Sequence, residues 1–286
     1  MLKDRIISAV ILLLIFLVSF LSKNPTYFLI FVFVASGILF YELAKILKLK
    51  SLALYVYWIL SLSPIIFFYF LISLDLFIID EPILHLQSFL INFSILISLI
   101  SLFFWFGLAP IDIMYKKISS NVKFKIFYGY FLVSPMVIVT AIAFTQNKIL
   151  LLVPFTMIWI SDIGAYFIGK RFGKNKLAKN ISPGKTIEGA LGGFLCNIIY
   201  ASILAYFFAV SFYIMLFFST IITALSIFGD IYQSFLKRQA NVKDSGSIIP
   251  GHGGLFDRLD SFCPTVPIFF LMCNYLYIEI SPKLIL

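Results

Sequence analysis

Apolar residues recur in runs of about 20 along nearly the whole chain, and short polar stretches separate them. A helix needs a run of about 20 apolar residues to cross a bilayer. Nine such spans are expected, at roughly residues 5–22, 26–44, 52–74, 87–110, 127–145, 148–168, 187–208, 211–230 and 263–281. The expected fold class is therefore all-α, a polytopic integral membrane helix bundle. Residues 1–150 supply about five N-terminal helices. Residues 151–286 form a C-terminal catalytic region with two long polar loops, 169–186 and 237–262. No internal repeat is visible.

Composition agrees with the pattern. Hydrophobic residues make up 62% of the chain and charged residues 12%, against about 25% charged in soluble domains. No soluble domain of useful size is left over. Lys3 and Arg5 precede the first apolar run as in a signal peptide. No small-residue cleavage site follows, so a retained first helix is expected.

Charge then sets the orientation. With the N-terminus inside, the inner segments carry 19 of the 22 Lys and Arg residues, and the outer ones only Lys23, Lys148 and Lys283. Basic residues are retained on the cytoplasmic side, which predicts an N-in, C-out protein. The outer loop near 75–85 holds Asp75, Asp80 and Glu81 instead. The net charge of +9 is mostly this topogenic signal, so it does not point to nucleic acid. The three cysteines, Cys196, Cys263 and Cys273, show no metal-ligand spacing.

Nearly all the polar chemistry lies in the two inner loops. In the second, Asp230 ends the apolar run that begins at Ser211, near the inner membrane boundary. There an ionised carboxylate is costly unless it is paired or binds a cation. Helical continuation would put Asp230, Ser234 and Arg238 on one face. Asp257 and Asp260 are three apart on the next helix. Asp230, Asp257 and Asp260 are expected to converge on Mg²⁺, a hard cation that takes oxygen ligands and grips substrate phosphates. Lys237, Arg238, Lys243 and Arg258 add charge suited to phosphate oxygens. The turn Pro250-Gly251-His252-Gly253-Gly254 would let backbone amides approach an anion.

In the first loop, Asp162 lies inside an apolar run and is a candidate functional residue by that fact alone. Ser182-Pro183-Gly184-Lys185-Thr186 precedes a helix, where free amides favour anions. Gly189 and Gly193 allow close helix packing, within the bundle or at a homodimer interface. His85 is expected to be idle in an outer loop, and Asp112 to be a surface charge.

Taken in order, Ser234-x-Leu236-Lys237-Arg238, Lys243-Asp244-x-Gly246, Ile249-Pro250-x-His252-Gly253-Gly254-Leu255 and Asp257-Arg258-Leu259-Asp260 resemble the signature of the phosphatidate cytidylyltransferases, or CDP-diglyceride synthases. Asp162, Ala165, Tyr166, Gly169, Ser182, Pro183, Lys185, Thr186, Glu188 and Gly189 match a second element of that family. The resemblance covers residues 160–262 well. Earlier in the chain only the Tyr41-Glu42 pair is family-like. Gln233 departs from the pattern, since the family usually has Glu there.

The resemblance implies CMP transfer from CTP to phosphatidic acid, giving CDP-diacylglycerol and pyrophosphate, at the cytoplasmic face of a bacterial inner membrane. It implies Mg²⁺ on Asp230, Asp257 and Asp260, with Lys237, Arg238 and Arg258 holding phosphates. Asp162, Ser182, Lys185 and Thr186 would bind substrate. Lys243 and His252 would act at the catalytic site, His252 as a hydrogen-bond donor to the leaving pyrophosphate. A CTP-dependent lipid kinase and an ion-coupled transporter are the alternatives. A transporter would show inverted repeats and broken helices, and neither is visible.

Overall fold

The computed structural model describes the backbone of residues 2–50, 52–75, 82–116, 118, 121–208, 210–251 and 253–284. It describes their side chains except for 2–6, 63–65, 67–75, 82–87 and 276–284. The side chains of Asp75, Asp80, Glu81, His85 and Lys283 lie outside the described residues.

The chain is a helix bundle. In order come α1 (Leu2–Leu21), α2 (Pro25–Ile46), α3 (Leu52–Asp75), α4 (Pro82–Phe103), a π-helical turn (Phe104–Leu108), α5 (Ala109–Tyr115) and α6 (Val122–Phe172). Then follow the strands β1 (Lys176–Ala178) and β2 (Ser182–Thr186), α7 (Ile187–Phe207), α8 (Phe212–Ala240), α9 (Phe256–Leu259) and α10 (Phe262–Leu284). Each expected apolar run lies largely in a helical segment. Among the described residues, five helices are long and apolar enough to cross a membrane. This is a multi-pass membrane protein.

Local chemistry explains the breaks. Asn24 caps α2 by accepting from the Thr26 amide, with Pro25 at the first helical position, where its missing N–H costs nothing. The long α6 is two helices joined at a kink. Asn147 has extended dihedrals (φ −153°, ψ 91°), and its side chain accepts from the Leu150 amide at 3.0 Å to cap the second half. That break falls between the expected spans 127–145 and 148–168. Pro110 has no N–H for the turn behind it. Just upstream the helix widens, and the Ala109 amide reaches the Phe104 carbonyl, five residues back.

The loop expected at 169–186 is more ordered than its composition suggested. Helix α6 continues to Phe172, and β1 and β2 pair antiparallel, Lys176 opposite Thr186. Thr186 then caps α7, its hydroxyl accepting from the Gly189 amide at 3.1 Å. Helices α6 and α7 pack backbone to backbone. A Cβ on Gly193 would come within 2.7 Å of the Ser161 carbonyl, and one on Gly189 within 2.9 Å of the Ala165 carbonyl. These glycines therefore serve a seam inside the chain, not a homodimer interface.

Candidate active site

One end of the bundle gathers the polar residues of both loops. Ends of α2, α5, α6 and α8 meet there with the turn before α9. Hydrogen bonds join elements distant in sequence. Gln239 donates to the Lys116 carbonyl at 2.8 Å, and Ser8 to the Pro250 carbonyl at 3.0 Å. Two clusters occupy this end.

The first surrounds Asp230. Lys185, from β2, places Nζ 2.5 Å from Asp230 Oδ2 and 3.5 Å from the Ile227 carbonyl, to which it donates. Ser234, one turn along α8, donates to Asp230 Oδ1 at 3.4 Å. Asp260 lies just before α10, where its Oδ1 accepts from the Ser261 amide at 2.8 Å. It reaches α8 because residue 229 is glycine. A Cβ there would stand 2.6 Å from the Asp260 carbonyl oxygen. Burial, and then the neighbouring Asp230 carboxylate, push the Asp260 carboxyl up to about 8, with Lys185 opposing and Asp162 adding to the rise. Asp162, Lys185, Asp230 and Asp260 therefore share one electrostatic neighbourhood, drawn from α6, β2, α8 and the start of α10.

The second cluster surrounds Asp257. Asp257 does not join Asp230 and Asp260. Its Oδ1 is 2.6 Å from Lys237 Nζ, and its Oδ2 accepts from the Ser245 amide (2.8 Å) and the Gly254 amide (3.0 Å), with the Ser245 hydroxyl, whose one proton is shared with Glu42, 3.1 Å away. Burial opposes the charged form, yet Lys237 and the Ser245 and Gly254 amides together hold this carboxyl below its ordinary range. Both Asp257 oxygens are thus engaged by the protein's own donors, and Lys237 Nζ contacts this carboxylate. Three residues apart on so short a helix, Asp257 and Asp260 face different partners.

The turn before α9 also differs from expectation. Gly251 and Gly253 take left-handed dihedrals (φ 75° and 81°), and the Ile249 amide donates to the Gly253 carbonyl at 3.0 Å. The amides that follow do point at anions, as the glycines suggested. Those anions are the protein's own carboxylates, Asp257 and Glu42. Glu42, buried on α2, accepts from the Leu255 amide (3.1 Å), the Phe256 amide (2.9 Å) and the Ser245 hydroxyl (2.8 Å). Gln233 donates to the Phe256 carbonyl.

Arg238, Lys243 and Arg258 are exposed at the rim, with Arg238 donating to the Val242 carbonyl at 3.3 Å. Ser182 is half-buried on β2. His252 lies outside the described residues. Asp112, expected on the surface, is buried. It accepts from the hydroxyls of Tyr128 (3.1 Å) and Tyr232 (2.8 Å). The π-helical turn sets Phe104 and Trp105 edge-on against Tyr232, with ring centroids 5.8 and 5.5 Å apart. Asp112 follows an apolar run as a surface charge would, and only the meeting of α5 with α8 distinguishes the two. Glu42 had a weak signal, a lone acid inside a membrane-length apolar run.

Among the described residues, no group of three or more His, Cys, Asp and Glu side chains is arranged to hold one ion. Mg²⁺ needs less than that, since one or two carboxylates suffice when substrate phosphates complete the shell. Asp230 and Asp260 fit that role. Both are hard oxygen donors, and Asp230 is near enough to add to the rise that burial causes at Asp260.

The profile of the cytidylyltransferase family matches residues 3–276. The phosphatidate cytidylyltransferase of Haemophilus influenzae is 32% identical over 94% of this chain and 97% of its own length. Those of Staphylococcus haemolyticus and Staphylococcus aureus are 42% and 44% identical over 120 residues, 41% of this chain and 46% of theirs.

Proposed function

The chain belongs to the cytidylyltransferase family, and from that premise we propose that it transfers CMP from CTP to phosphatidic acid. A lipid phosphate oxygen attacks the α-phosphorus of CTP. The bond from that phosphorus to the bridging oxygen breaks, and pyrophosphate leaves with CDP-diacylglycerol as the lipid product. The nucleophile is already anionic near neutral pH, so no strong base is required. What the protein must supply is alignment and charge neutralisation.

The observation that carries this reading is the contact of Lys185 with Asp230 at 2.5 Å. It joins the two motif loops into one site beside Asp162 and Asp260. Asp230 and Asp260 would hold Mg²⁺, which supplies neutralisation of the triphosphate charge when bound. Lys185 is then free to turn to a phosphate oxygen, with Ser182 and Thr186 beside it on the same strand. Asp162 takes part in binding substrate from the α6 side. Arg238, Lys243 and Arg258 line the rim and attract anionic substrates. His252 donates to the leaving pyrophosphate. Lys237 and Asp257 act on each other and hold the loop in shape.

The membrane setting suits two such different substrates. We read nine spans with the N-terminus inside, because the basic excess and both clusters belong to the same ends of the helices. CTP then arrives from the cytoplasm of a bacterial inner membrane, while phosphatidic acid stays in the leaflet. Either a monomer or a homodimer would serve this chemistry.

The test is a product assay on purified protein with phosphatidic acid, labelled CTP and Mg²⁺. CDP-lipid with stoichiometric pyrophosphate, abolished by chelation, is the expected result. CDP with a newly phosphorylated lipid would make it a kinase, and no nucleotide turnover by folded protein would overturn the enzyme reading.

A further inference from the structure

Glu42 lies 200 residues before the loop it binds and on a helix that carries no other part of the proposed site. Its carboxylate is buried inside a membrane-length apolar helix, where an acid is costly unless its oxygens are satisfied. Three donors satisfy it: the Leu255 and Phe256 amides and the Ser245 hydroxyl. The backbone is shaped to let it in. A Cβ on Gly246 would stand 2.7 Å from Glu42 Oε1, and one on Gly254 would overlap Glu42 Oε2 and the Ser245 hydroxyl. Two of the signature glycines are therefore explained by the carboxylate itself.

The grip is two-sided. Glu42 takes the Phe256 amide from α2, while Gln233 on α8 donates to the Phe256 carbonyl. The Phe256 side chain is fully buried. Residue 256 opens α9, and Asp260 follows directly on its last residue. A short helix fixed at its first residue delivers Asp260 to α8 at a set depth, where Gly229 leaves it room.

We propose that Glu42 is a positioning residue for the transfer reaction. With Gln233 it clamps the start of α9, so that Asp260 stands beside Asp230 where Mg²⁺ and the CTP phosphates are handled. This rests on the reading above that Asp230 and Asp260 serve the cation. Gln233 acts through its N–H, which explains an amide where the family usually carries a carboxylate.

The experiment compares wild type with Glu42→Gln, which keeps the size but presents an NH₂ group to at least one N–H or O–H donor. Because small misplacements near a reacting centre are costly, kcat is expected to fall roughly tenfold or more. The Mg²⁺ concentration for half-maximal rate should rise at least about threefold, with KM for phosphatidic acid little changed. A residue that only holds the fold together would lower the amount of active protein without moving the Mg²⁺ dependence. An unshifted Mg²⁺ dependence, at any kcat, therefore overturns the proposal. Where Glu42→Gln fails to fold, Ser245→Ala decides. It removes the hydroxyl that Glu42 shares with Asp257 while keeping both amides on Glu42, and a smaller shift in the same direction is expected. Hydrogen exchange over residues 243–256 reads the clamp without turnover and should speed up in Glu42→Gln. Fast exchange in that variant, combined with a wild type that makes no CDP-lipid, would sink the assigned reaction and leave the clamp standing. Unchanged exchange would sink the clamp.

Discussion

Asp260 carries the largest electrostatic strain outside the helical spans, and its sign fixes a measurement. Its carboxyl rises from an ordinary 3.8 to about 8 because burial and Asp230 disfavour the charged form. In that window the folded protein binds a proton that the unfolded chain has released. Stability therefore falls as pH rises from about 4 to about 8 and levels off above, since the unfolded state binds fewer protons there. With a chelator present, the melting temperature should decline across that range. Mg²⁺ should restore most at the alkaline end, where the carboxylate is charged, and Asp260→Asn should flatten the slope. A flat wild-type profile would remove the coupling between Asp260 and Asp230. Asp112 tests the same scale without a metal. Asp112→Ala strands the Tyr128 and Tyr232 hydroxyls, and each buried group left unpaired costs about 1–3 kcal/mol. A clear drop in melting temperature in detergent is expected. An unchanged one would mean that water replaces the carboxylate.

At the scale of elements, the site depends on how closely α8 and α10 approach. Gly229 is the contact point, with the Asp260 carbonyl and Pro264 filling the space that a side chain would use. Gly229→Ala forces one of the two elements back, and overpacking of this kind costs about 1–3 kcal/mol. The expected result is a folded protein whose activity is strongly reduced and partly recovered at high Mg²⁺. Wild-type Mg²⁺ dependence in that variant would show that α10 can yield without moving Asp260. The same scale shows what was legible beforehand. Long apolar runs mark helices because in lipid every backbone group must be satisfied within its own segment, so the bundle could be read from the chain. The break at Asn147 was legible too, from the polar residues around it. The β1–β2 hairpin was not, because its strands are short and polar and take their order from the α6–α7 seam. Nor was the separation of Asp257 from Asp260. Spacing puts two acids three apart on one helical face, but α9 ends at Leu259, and tertiary partners divide them.

For the whole molecule, the contribution of the N-terminal half was the part that sequence concealed. The motifs that resemble a known family lie almost entirely in residues 160–262, which invites a view of the earlier helices as mere anchorage. The structure places Glu42 of α2 on the signature loop and Asp112 of α5 on α8, so the first half holds the second in register from two sides. A single buried acid in an apolar helix gives no hint of a partner two hundred residues away, since only folding brings them together. The dependence can be measured by cutting the chain where it is already broken, at Asn147. Residues 148–286 alone retain every motif but lose Glu42, Asp112 and Tyr128, and no CDP-lipid should form. Co-expression with residues 1–147 should restore synthesis, because the two halves meet through packed helix faces and the hydrogen bonds of Glu42 and Asp112. If the C-terminal piece alone were active, the first half would be an anchor and the clamp on α9 dispensable. If the pieces purify together but stay inactive, the link at Asn147 itself must set the register of α6, and thereby the reach of Asp162 into the site.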